Sequence, residues 1–197
     1  MVDYPSEALA VNLSSKTLRG IIPLLALRPG EGHTLTELAR FAGVDTKSVW
    51  QTLHQLQADG ALLTSEYGRK TYSINPRYEF YAEIRTIAFR LLGVPGALEE
   101  SDAGVALVVL FGSILRDVYR RESDIDLLVV ARDEPAVQMT LAGVSERLGK
   151  RVAAVVYTPG QFVERWNSDD SFIADVFAGS HAVIGGSLER LGLGAVA

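Results

Sequence analysis

The chain of 197 residues has no cysteine, which excludes disulfides and thiolate-held metals. Its three histidines, His33, His54 and His181, are widely separated, which argues against a zinc site. No apolar run approaches the roughly 18 residues that a membrane-crossing helix needs. No charged, then apolar, then small-residue leader opens the chain. These absences point to a soluble, cytoplasmic protein with no membrane partner. Repeats and low-complexity segments are also missing. Hydrophobic residues, by contrast, make up 48% of the chain, ample for a core and too many for a disordered segment.

The net charge of −5 is unevenly spread. Residues 1–96 carry 10 Lys/Arg against 9 Asp/Glu, hence +1, and residues 97–197 carry 9 against 15, hence −6. The acidic half repels nucleic acid, whereas the first half is near neutral with local basic points. A chain of this length holds one large domain or two small ones. The charge asymmetry favours two units with different partners.

The most informative stretch runs from Val105 to Val130. Val105–Phe111 and Ile125–Ala131 are apolar runs of strand length. Between them lie Gly112-Ser113, then ten residues, then Asp124-Ile125-Asp126. A helix is expected across Ile114–Arg121, which would set Gly112-Ser113 at its N-terminus, where free N–H groups hold phosphate. Glycine admits close approach of the backbone, and the serine hydroxyl adds a donor. Asp124 and Asp126, two apart in a strand, share one face at about 6–7 Å, while Ile125, Leu127 and Val129 take the other. Neighbouring carboxylates do not both ionise cheaply unless a cation joins them. Mg²⁺ suits them, because it takes carboxylate oxygens together with substrate phosphates. Gly112 and Ser113 are therefore candidate nucleotide-binding residues. Asp124 and Asp126 are candidate metal-binding and catalytic residues, with a nucleoside triphosphate as ligand. The competing reading is a surface turn with two solvated aspartates.

Residues 1–13 carry little pattern and read as an arm. Ser14-Ser15 offers an N-cap to a helix through Leu18, Ile21, Ile22, Leu24, Leu25 and Leu27, in which Pro23 predicts a kink or a late start. A capping box, Thr34-x-x-Glu37, opens a second helix that Gly43 breaks. Asp45 or Thr46 caps a third, with Val49, Leu53 and Leu56 on one stripe and Gly60 at its end. Two strand-like runs, Ala61–Glu66 and Thr71–Ile74, flank the basic tip Tyr67-Gly68-Arg69-Lys70. This succession resembles the winged helix-turn-helix of bacterial repressors. The resemblance implies double-stranded DNA as partner, with the third helix in the major groove. Thr46, Lys47, Trp50, Gln51 and His54 would then face the bases and phosphates, and Arg69 and Lys70 would meet phosphate or the minor groove. Trp50 either touches a base or packs on the first helix.

After Asn75-Pro76 a helix is expected from Arg77 to Leu92. Its apolar face (Phe80, Ile84, Ile87 and Leu91 beside Tyr81, Ala88 and Leu92) is wide enough to join domains or pair two chains. Gly93-Val94-Pro95-Gly96 reads as a linker. Beyond the motif stretch, helices are expected at Pro135–Leu148, from Pro159 through Trp166, and across Phe172–Phe177. A strand is expected at Arg151–Tyr157, and a short one at Ala182–Ile184 before the turn Gly185-Gly186.

Phe111-Gly112-Ser113 with Asp124-Ile125-Asp126-Leu127 resembles the minimal nucleotidyltransferases of the DNA polymerase beta superfamily. That resemblance implies a third carboxylate on the next strand, yet Arg151–Tyr157 offers alanines there and no acid. Glu164, Asp169, Asp170 and Asp175 are the substitutes that neighbouring segments provide. Arg116, Arg120 and Arg121 would meet phosphates or form a solvated face. The whole chain is similar to prokaryotic regulators in which a winged helix precedes such a domain. Gly68-Arg69 through Tyr72, Asn75-Pro76, Tyr78, and Leu148–Val152 leading to Val156–Pro159 carry the likeness.

The expected fold class is α+β. It comprises an arm at 1–13, a winged helix-turn-helix domain at 14–76, a connecting helix and linker at 77–96, and a nucleotidyltransferase-like α/β domain with a small mixed sheet at 97–197. Three functions compete. One is a homodimeric DNA-binding transcriptional regulator with a Mg-nucleotide-binding domain, weak or inactive in transfer. Another is an enzyme moving a nucleoside monophosphate onto a hydroxyl of a protein or small molecule, as in antitoxins built on this fold. The third is a protein-interaction module in which neither site is active.

Overall fold

The computed structural model describes residues 15–116 and 119–194; the expected arm lies outside them. The chain divides into two compact units, Met1–Leu91 and Leu92–Ala197.

In the first unit, the Ser15 hydroxyl accepts the Leu18 N–H at 3.3 Å and starts α1, Lys16–Leu27. Pro23 sits inside α1, which neither ends nor starts late there. Burial of Leu18, Ile21, Ile22, Leu24, Leu25 and Leu27 outweighs the hydrogen bond that proline removes. Helix α2, Leu35–Ala42, begins with the reciprocal capping box of Thr34 and Glu37. It lies so close to α1 that a Cβ on Gly20 would stand 2.6 Å from the Ala42 Cβ. Asp45, accepting the Ser48 N–H at 2.8 Å, caps α3, Thr46–Ala58, which buries Val49, Leu53 and Leu56.

Strands β1, Leu62–Ser65, and β2, Thr71–Ile74, form an antiparallel hairpin. His33 extends it by a bridge to Tyr72, with N–H···O distances of 2.8 and 2.9 Å. Helix α4, Tyr81–Leu91, starts four residues later than expected. Asn75 is the reason: its Oδ1 takes the Arg77 N–H at 3.0 Å, and its Nδ2 donates to the Gly60 carbonyl at 2.9 Å. These bonds hold a turn that competes with helix. The Tyr78 hydroxyl adds a 2.6 Å bond to Asp59; burial, with that bond, pushes the phenol well above its ordinary range.

The second unit opens with α5, Val94–Glu100, so the expected linker 93–96 is largely helical. Gly93 at φ +74° precedes it, and Pro95 sits in its first turn, where a missing N–H costs nothing. The strands are β3, Leu107–Phe111; β4, Ile125–Val130; β5, Val152–Tyr157; and β6, His181–Gly186. Their order is β5-β4-β3-β6. Strand β3 pairs antiparallel with β4 and β6, and β4 runs parallel to β5. The parallel step requires a crossover, which α6, Glu134–Leu148, supplies. Thus a small mixed sheet sits in an α+β chain.

Alternation along the strands decides what covers each face. Leu107, Val109, Leu128 and Val130 meet Phe162 of α7, Pro159–Asn167, and Ile173 and Val176 of α8, Ser171–Ala178. Burying each large side chain of this kind stabilises by about 1.5–3 kcal/mol. Ile125, Leu127 and Val129 point to the opposite face and are also fully buried. Helix α6, with Val137, Leu141, Val144 and Leu148 buried, packs on β5.

One expectation fails where it matters for the site. The helix foreseen across Ile114–Arg121 is only a 3-10 turn, Gly112–Leu115, ended by the Arg116 N–H bonding to the Ser113 carbonyl at 3.0 Å. Phe111 and Asp126 are partners in the antiparallel β3–β4 register, so the connection starts and ends at one edge of the sheet. Tyr119, five residues after Ile114, is buried with it, a spacing no α-helix face provides. Among the described residues, no helix is long and apolar enough to cross a membrane.

Candidate functional site

The C-terminal end of β3 and the start of β4 lie side by side, which carries Gly112 to Asp126. Gly112 has φ +81°, and a Cβ there would fall 2.8 Å from Asp126 Oδ2. Only glycine fits this bend without strain or displacement of the carboxylate. Gly112, Ser113, Arg116 and Asp126 line one wall of a hollow of about 400 Å³. Helix α8 and the turn after it supply the other wall through Phe172, Asp175, Val176 and Ser180. The Phe111 and Phe172 rings meet edge to face there, 5.8 Å apart.

Asp124 is not on that lining; it forms an ion pair with Arg151 at 3.2 Å. Burial raises the Asp126 carboxyl above the usual range, repulsion from Asp124 adds to this, and Arg151 partly offsets it. The parallel register places Ala153 beside Asp126, so strand β5 offers a methyl group there. Among the described residues, no group of three His, Cys, Asp or Glu side chains could hold a metal ion by itself.

The four substitute acids are separated by the fold. Asp170 caps α8 through the Phe172 and Ile173 N–H groups and pairs with Arg165 at 2.7 Å. Asp169 lies at a different hollow, with Trp166 and Phe177. Glu164 is exposed on α7. Asp175 reaches the hollow that contains Asp126. Of the three arginines, Arg116 lines it, whereas the Arg121 carbonyl is turned toward Lys150, accepting from its Nζ at 2.7 Å. With the helix reduced to a single 3-10 turn, helix-dipole attraction for phosphate falls away. The Ser113 hydroxyl and Arg116 remain as hydrogen-bond donors along that wall. Sequence reasoning missed Phe172, Val176 and Ser180 as wall residues. The i, i+4 spacing of the first two marked a buried face but not what it would cover.

Residues 94–175 match the family model of the nucleotidyltransferase domain. That span takes in Gly112, Ser113, Asp124, Asp126 and Asp175, and over it the chain is similar to such a domain. No curated protein and no solved structure matches the chain.

In the first unit, Thr46, Lys47, Gln51 and His54 are exposed along α3. Trp50 is 51% exposed, with its ring 5.6 Å from that of His54. Trp50, Gln51 and His54 line a polar groove with Ser15 and Thr17. Arg69 and Lys70 are exposed between β1 and β2, and Lys70 pairs with Glu66 at 3.5 Å. Tyr67, read in the sequence only as part of the turn, is fully solvent-exposed beside them.

Proposed function

We propose that the protein is a DNA-binding transcriptional regulator whose second unit binds a Mg-nucleotide. The observation that carries the nucleotide reading is the closeness of Gly112 to Asp126 within one hollow that Ser113 and Arg116 also line. Gly112, Ser113 and Arg116 would face phosphate oxygens. Asp126, with Asp124 released from Arg151, would hold the cation. Two carboxylates without a third would suit magnesium, which takes few carboxylates together with phosphate oxygens. When bound, the ion supplies positive charge along the triphosphate. Asp126, partly desolvated and reluctant to ionise, would gain from a cation beside it.

The DNA reading rests on the order of three capped helices and a hairpin, with a polar α3 face and a basic tip. Thr46, Lys47, Trp50, Gln51, His54, Arg69 and Lys70 form that surface. Two copies would read half-sites about 34 Å apart. Nucleotide binding would alter DNA affinity only if the two DNA-binding states differ in nucleotide affinity.

A thermal-shift panel of nucleoside triphosphates, with and without Mg²⁺, tests the second unit. Stabilisation that needs both, and that Asp124→Ala removes, is expected; no shift with any of them contradicts the reading. Fluorescence anisotropy with random duplex DNA across a salt series tests the first unit, where a negative slope of log affinity on log salt is expected. Equal DNA affinity with and without saturating Mg-ATP would remove the coupling. Transfer of a nucleoside monophosphate is the second reading, favoured by the nucleotidyltransferase match. Ala153 beside Asp126 weighs against it, because the acid expected there is missing. Labelled nucleotide incorporated by the intact protein in cell extract, but not by Asp126→Ala, would decide for transfer.

A further inference from the structure

The two walls of the hollow differ in chemistry. The strand wall offers an N–H-bearing bend, a hydroxyl and a guanidinium, Arg116, suited to anions, beside the Asp126 carboxylate proposed to hold the cation. The α8 wall presents Phe172, Asp175 and Val176, at positions i, i+3 and i+4 of one helix face. A carboxylate repels a triphosphate unless a cation stands between them, and among the described residues Asp175 joins no group of three side chains that could hold a metal ion. It accepts hydrogen bonds and donates none when ionised. With the cation assigned to Asp124 and Asp126, the partner left to Asp175 is the neutral, donor-bearing end of the ligand, with Phe172 and Val176 beside it.

We infer that Asp175 binds the ribose hydroxyls of a ribonucleoside triphosphate, and that the α8 wall makes the site selective for ribonucleotides over deoxyribonucleotides. This rests on the nucleotide reading above. It adds the direction of the ligand: phosphates toward Gly112 and Ser113, sugar toward α8. The vicinal 2′ and 3′ hydroxyls are two adjacent donors, which match the two oxygens of one carboxylate. Carboxylates hold ribose hydroxyls in this way in dinucleotide-binding folds. Phe172 and Val176 would take the apolar edge of the sugar and base, and the Ser180 hydroxyl lies on the same lining. A site built to bond a hydroxyl rejects the analogue without it, because its own polar group is left unpaired. Asp175 is exposed, so the discrimination is moderate, about tenfold.

The test is calorimetric titration with Mg²⁺ present, using ATP, 2′-deoxy-ATP, 3′-deoxy-ATP and inorganic tripolyphosphate. Wild-type protein is expected to bind ATP about ten times more tightly than either deoxy form. Asp175→Ala should bring that ratio to about one, and Asp175→Asn, which keeps one acceptor, to an intermediate value. Equal affinity of wild-type protein for ATP and both deoxy forms overturns the assignment while leaving the nucleotide site standing. So does an unchanged ratio in Asp175→Ala. Failure of ATP and tripolyphosphate alike to bind removes the nucleotide site, and this assignment with it.

Discussion

Replacing Gly112 by alanine tests the site at its tightest point. Alanine at φ +81° is strained by about 1–2 kcal/mol. Its Cβ would also press on Asp126 Oδ2 at 2.8 Å, with the next Asp126 atoms at 3.6 Å. A carboxylate end can swing away, so this contact is relieved by moving Asp126 and not the sheet. The second unit should thus lose roughly 1–2 kcal/mol, a fall of roughly 5–10 °C in its melting temperature for a unit of about 100 residues. The displaced carboxylate should weaken Mg-ATP binding at least about tenfold. Gly143→Ala is the control. Gly143 lies in α6 with nothing within 4 Å of an added Cβ, so alanine should stabilise by about 0.5–1 kcal/mol. Calorimetric melts of both variants, each followed by Mg-ATP titration, give the comparison. Gly112→Ala with wild-type stability and wild-type binding would refute the proximity of the bend to Asp126.

Gly20→Ala should destabilise the first unit by about 1–3 kcal/mol despite better helix propensity, because its Cβ would meet the Ala42 Cβ at 2.6 Å and Cα at 3.1 Å; a thermal melt reads it. His33 is buried, and desolvation first, then the Arg28 charge, holds its pKa below 6.5. The unfolded chain therefore binds the extra proton first: the first unit keeps full stability above about pH 6.5 and loses it as pH falls below. The loss is at most about 1.4 kcal/mol per pH unit, and His33→Gln should flatten it in melts at pH 7.5 and 5.5. Lys47→Ala should weaken DNA binding about uniformly across sequences and reduce the salt slope by about one, measured by anisotropy.

Local signals were well written in the residues. Thr34 with Glu37, and Asp45 before α3, are caps that act within one turn, so the sequence alone locates them. The Gly-Ser and Asp-x-Asp halves were visible because apolar strand runs frame them. What escaped was decided by distant partners. The connection after Gly112 looks helical by composition, but it forms only a 3-10 turn, and Ile114 and Tyr119 are both buried at a spacing no helix face provides. Gly93–Gly96 looks like a linker, yet its proline suits a first turn and Val94 and Leu98 are buried. The spacing predicts Asp124 and Asp126 on one strand face, but β4 begins only at Ile125, and Asp124, just before it, pairs with Arg151, far along the chain. The α8 wall was the least legible part, since nothing local says that Phe172 will meet Phe111.

Asp126 and the Gly112 bend are proposed to grip a triphosphate through a divalent ion. Equilibrium dialysis of labelled ATP against wild-type protein and Asp126→Ala, each with Mg²⁺ and with chelator, tests it most directly. The account predicts saturable binding near one ATP per chain that needs both Mg²⁺ and Asp126. Binding that survives the loss of either, or wild-type protein that retains no ATP, would contradict it.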